Sequence, residues 1–104
     1  MAISIQIRDG VARITMTGRF DFQVHREFKE AYIAPLDNAA VNEIEVEMSK
    51  VDYLDSSALG MLMLLHERAK AVNKKITLLN SSSAVANVLD VANFGRIFNI
   101  KRSS

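Results

Sequence analysis

The chain has 104 residues, 49% of them apolar and 24% charged, with 13 Lys and Arg against 12 Asp and Glu. That length suits one domain able to bury roughly 65% of its unfolded surface, and the composition excludes an intrinsically disordered chain. A net charge of +1 supplies no field to gather nucleic acid, and the lack of cysteine excludes a disulfide framework, a thiolate metal site and a cysteine nucleophile.

Ile3, Ile5 and Ile7 alternate with Ser4, Gln6 and Arg8, the period-two pattern of a strand with one buried face. Asp9-Gly10 then predicts a tight turn, and Ala12, Ile14 and Met16 alternate on a return strand, so the first seventeen residues read as a hairpin. Gly18 to Phe20 predicts a turn, with Asp21 as a helix cap. Val24, Phe28, Ala31 and Tyr32 form one apolar stripe on a first helix, expected to stop near Pro35. A third strand is expected over 43–48, with Ile44, Val46 and Met48 on one side and Glu43, Glu45 and Glu47 on the other. Strands buried on both faces read as continuously apolar, so the helices are expected mainly on one face of the sheet.

Val51 to Ser57 leads into a second helix ending near Asn73, and 75–79 reads as a fourth strand. Ser81, Ser82 and Ser83 offer caps to a third helix striped by Val85, Val88, Leu89 and Ala92 and stopped by Gly95. A short last strand over 97–100 and a frayed tail over 101–104 complete the chain. The expected fold is α/β, a single domain over 1–104 in the order ββαβαβαβ. The longest apolar run, Ala58 to Leu65, has eight residues and contains Gly60, far short of the roughly 20 a membrane span needs. The chain opens on a strand pattern without a cationic leader, which reads as cytoplasmic.

On a helical wheel of the second helix, Ala58, Met61, Leu62, Leu65, Ala69 and Val72 share the core arc. The opposite arc holds His66, Glu67 and Lys70 as expected for solvent, but also Leu59 and Met63, with Ser56 one turn above them. Ser57 lies nearly a right angle closer to the core. An outward Leu/Met pair beneath a hydroxyl suits a protein-binding spot, unless a loop covers it. Asp55, Ser56 and Ser57 are all able to cap the helix. A hydrolase reading lacks the Gly-x-Ser-x-Gly elbow, and His66 lies about 15 Å along the helix from Ser56. Two histidines at no ligand spacing predict no metal, four glycines without a phosphate loop predict no nucleotide cofactor, and Arg68, Lys70, Lys74 and Lys75 read as a solvated helix end.

Tyr53-Leu54-Asp55-Ser56-Ser57-Ala58-Leu59-Gly60 resembles the signature of the STAS domain in bacterial anti-sigma factor antagonists, and Gly18-Arg19-Phe20-Asp21 resembles that family's second motif. Length and element order agree, so the resemblance covers nearly the whole chain; Ala58 departs from a common glycine. The resemblance implies a STAS fold and a non-enzymatic protein switch acting as a monomer, without direct nucleic-acid contact or membrane insertion. Its unphosphorylated form would bind an anti-sigma factor with serine kinase activity and release a sigma factor. That kinase would phosphorylate Ser56, and a serine phosphatase would reverse it. Asp21, Asp52, Asp55, Ser57, Leu59 and Met63 would form the partner-binding rim. The alternative is a STAS accessory subunit of a transporter or other signalling assembly, docking through the same rim without phosphorylation.

Overall fold

The protein is described by a computed structural model covering residues 2–102. Strand β1 (Ala2–Arg8) pairs antiparallel with β2 (Val11–Phe20) across the Asp9-Gly10 turn. Both turn residues have positive φ, 52° and 81°, a conformation glycine adopts freely. Strands β3 (Glu43–Leu54), β4 (Lys75–Leu79) and β5 (Asn99–Lys101) add in parallel, giving one sheet ordered β1-β2-β3-β4-β5. Helices α1 (His25–Asp37), α2 (Ser56–Ala71) and α3 (Ser83–Val91) connect the parallel neighbours. Right-handed crossovers that always step in the same direction place all three on one face. There Ile14, Met16, Ile44, Val46, Met48 and Leu78 of the sheet meet Phe28, Tyr32, Leu62, Leu65, Val85 and Leu89 of the helices in a single core.

The expected one-sided arrangement therefore holds. The uncovered face is polar and internally paired: Arg13 Nε lies 3.0 Å from Glu45 Oε1, and the Thr77 hydroxyl donates to Glu43. Asn99 Nδ2 donates to the Thr77 oxygen at 3.2 Å. Glu47 is buried there, accepting from the Ser49 amide at 2.7 Å and from Asn80 Nδ2 at 2.6 Å. Burial alone would raise its pKa, but these hydrogen bonds and the Arg13 charge outweigh it and hold the carboxyl below its ordinary value.

Several boundaries differ from the expectation. β2 does not turn at Gly18; it bulges between Thr15 and Thr17 and between Gly18 and Arg19, and continues to Phe20 with Gly18 at φ 101°. β3 likewise continues past Met48 to Leu54, because the lengthened β2 gives it a partner to pair with. α1 runs through Pro35 to Asp37. Its last turn is held from outside: Lys74 Nζ donates to the carbonyls of Pro35 at 2.9 Å and Asn38 at 2.6 Å. Lys74 is thus not part of a solvated helix end.

α3 stops at Val91, and the left-handed residue beyond it is Asn93 at φ 61°, not Gly95, which lies in a following one-turn 3-10 helix (Phe94–Arg96). That turn displaces the last strand to Asn99–Lys101, so Lys101 pairs with Leu79 instead of fraying. Of the expected tail, Ser103 and Ser104 lie outside the described residues. Val72, expected in the core, is 47% exposed, because α2 ends at Ala71. His66, expected in solvent, is half-buried with its ring edge-on to Phe98 at 5.2 Å.

Candidate functional site

The extra length of β2 and β3 builds the site. Their ends pair Arg19 with Tyr53 and Phe20 with Leu54, and the Asp55 amide donates to the Phe20 carbonyl at 3.4 Å. The chain leaving β2 at Asp21 and the chain entering α2 at Asp55 are therefore neighbours on one rim of the sheet.

Each aspartate caps the helix that follows it. Asp21 Oδ1 accepts from the Gln23 amide at 3.0 Å, ahead of a 3-10 turn (Phe22–Val24) that runs into α1. Asp55 Oδ1 accepts from the Ala58 amide at 2.9 Å. Of the three residues able to cap α2, Asp55 does so. Ser56 becomes the first helical residue, exposed, with no hydrogen bond to its hydroxyl among the described residues. Ser57 is half-buried. Asp52 is exposed on β3 without a described partner. Around Ser56 stand the first backbone N–H groups of α2 and its positive dipole end, a setting that favours an anion.

Leu59 and Met63 are half-buried and pack against the core, rather than standing outward. The wheel treats α2 as having one buried face, whereas α3 lies along its flank. Leu59 shares a shallow groove with Asn87, Val88, Val91 and Ala92, and there Val91 is 84% exposed. On the α1 side, Phe22, His25, Ser57, Gly60, Met61 and Leu64 line a second hollow. Phe22 is 67% exposed and stacks on the His25 ring at 5.5 Å. Apolar surface thus flanks the first turns of α2 on both sides, beyond Leu59 and Met63. The isolated apolar residues at 22, 64 and 91 signalled it, but none falls on a regular stripe with Leu59.

Arg19 stands on this rim as well. Its guanidinium carbon lies 4.0 Å from the centre of the Tyr53 ring, and its Nε lies 3.5 Å from Asp21 Oδ2. Arg19 so ties β2, β3 and the turn before α1 together. Among the described residues no cluster of His, Cys, Asp and Glu is arranged to hold a metal, and no helix is long and apolar enough to cross a membrane.

The arrangement defines a small one-sided α/β domain with an exposed serine at a helix start. The family described as "Mlab, STAS domain" matches residues 3–100, and the chain belongs to the STAS-domain family. A STAS-domain containing protein of Pseudomonas aeruginosa is 40% identical over 89 residues, 84% of each chain. The fold matches the anti-sigma factor antagonist SpoIIAA in its unphosphorylated form with a TM-score of 0.84 at 19% identity, covering 99% of this chain and 89% of that one. It also matches the Bacillus cell fate determinant SpoIIAA in its phosphorylated form, with a TM-score of 0.77 at 18% identity over 99% and 92% of the chains.

Proposed function

We propose that this chain is an anti-sigma factor antagonist switched by phosphorylation of Ser56. The observation that carries the reading is that Asp55 takes the capping role, which leaves the Ser56 hydroxyl exposed at the start of α2. The unphosphorylated protein binds an anti-sigma factor with serine kinase activity in the cytoplasm, through the rim of Asp21, Asp52, Asp55, Ser57, Leu59 and Met63, and frees a sigma factor. The kinase and phosphatase chemistry belongs to the partners, so no side chain here has to act as a base.

A phosphate adds about −1.5 to −2 charge at neutral pH. The α2 start accommodates it within the fold. A docked partner does not, since it would have to desolvate a dianion beside Asp55 and close to Asp52. Like-charge placement at an interface costs several kcal/mol, and about 4 kcal/mol is a 10³-fold loss of affinity. That SpoIIAA is known in both states with folds this chain matches is consistent with a switch that leaves the backbone in place.

The test is site-localised mass spectrometry of the protein from its native cell, together with affinity capture. Phosphate on Ser56, capture of a serine kinase by the unmodified form, and a loss of about three orders of magnitude on installing phosphoserine support the reading. Unmodified Ser56 under all growth conditions, with capture of a membrane-transporter subunit instead, overturns it in favour of the transport alternative.

A further inference from the structure

An open five-stranded sheet has two edges, and here they are unequal. β5 offers three residues; β1 offers seven, every one of them exposed except half-buried Ile3. Along its outer side, β1 presents backbone donors and acceptors that no strand pairs. Proteins blunt such edges with proline, bulges or charges facing the edge. β1 has none of these: its ladder to β2 runs one-to-one from Ala2 to Arg8, it contains no proline, and its one charge is Arg8 at the very end. On its helix side it exposes 39% of Ile5 and 50% of Ile7.

We propose that β1 is a homodimer edge, to which a second copy adds its own β1 antiparallel about a two-fold axis at Ile5. The strand itself identifies the occupant. In that register Ile5 faces Ile5, Ile3 faces Ile7, Ser4 faces Gln6 and Ala2 faces Arg8. Apolar residues meet on one face, polar residues on the other, and no like charges are opposed. A slip of one residue would set Ile5 against Gln6 and turn the two helical layers to opposite faces. Centred on Ile5, the pairing uses the whole strand and keeps both helical layers on the same side of a continuous ten-stranded sheet. The dimer departs from the monomer that the family resemblance implies. It is independent of the Ser56 switch: antiparallel pairing sends the two Ser56 rims to opposite ends of the joined sheet, with neither covered.

Sedimentation equilibrium from low- to high-micromolar concentration tests it. The wild type is expected to rise from 11.6 kDa toward twice that mass. Ile5→Lys is expected to stay monomeric with an unchanged far-UV spectrum, since Ile5 stands at an exposed edge position, while Val91→Lys on α3 still dimerises. A wild type that is monomeric throughout overturns the proposal. So does a dimer that survives Ile5→Lys or is lost in Val91→Lys, the latter placing the contact on α3.

Discussion

The Asp55 carboxylate holds the Ala58 amide at 2.9 Å, so the residue beside Ser56 performs the duty that Ser56 would otherwise perform. One consequence is a division of labour between adjacent side chains, one structural and one free. Asp55→Ala is expected to cost about 1 kcal/mol of stability, the usual effect of a lost N-cap. Ser56→Ala is expected to change stability by less than about 0.5 kcal/mol, as for an exposed position. Urea unfolding of both variants measures this, and equal losses at the two positions would mean that Ser56 carries the cap.

Acid stability is expected to depend on Glu47. Its folded-state pKa lies below its ordinary, unfolded carboxylate value. The paired carboxylate therefore contributes stability that is fully present above that value and is lost as pH falls through the lower folded pKa. Glu47→Gln is expected to flatten the acid limb of stability against pH, which thermal unfolding across that window records. A limb as steep as that of the wild type would assign the acid sensitivity to other carboxylates. The alkaline side has its own marker: burial of Tyr32 raises its pKa against the opposing charge of Arg68, so its contribution is present below about pH 10 and fades as pH rises through the raised value.

Lys74 is expected to matter out of proportion to its place in a lysine-rich stretch. It donates to two carbonyls at the end of α1, where Pro35 has already removed a backbone donor. Hydrogen bonds from charged groups contribute about 1.5–3 kcal/mol, so Lys74→Met is expected to destabilise by about 2 kcal/mol. Lys70→Met, on the exposed side of α2, is expected to fall within about 0.5 kcal/mol. Chemical denaturation separates the two, and indistinguishable midpoints would remove Lys74 from the structural account.

Much of the architecture is written in local period. Ile3-Ile5-Ile7, Ile14-Met16 and Ile44-Val46-Met48 each declare a strand with one apolar side, and Val24-Phe28-Ala31-Tyr32 declares a helix with one stripe. Three glutamates opposite the β3 core residues were enough to put the helices on a single face. The Asp-Ser-Ser motif was equally legible, because the residues that open a helix are contiguous in the chain.

Other features depended on residues far apart in sequence. The continuation of β2 and β3 to Phe20 and Leu54 required each strand to supply the other's hydrogen-bond partners, and this pairing brings Asp21 beside Asp55. The helix through Pro35 required Lys74, 39 positions away. Glu47 reads as a solvent residue until Asn80 and the Ser49 amide close over it, and Leu59 reads as exposed until α3 lies along α2. The sequence by itself determined the order of elements, the sidedness of the sheet and the chemistry at the start of α2, since these follow from spacing along a single segment. Only the tertiary structure decided how far the strands reach and which apolar side chains remain in water, because each of those is settled by a neighbour that chain order does not specify.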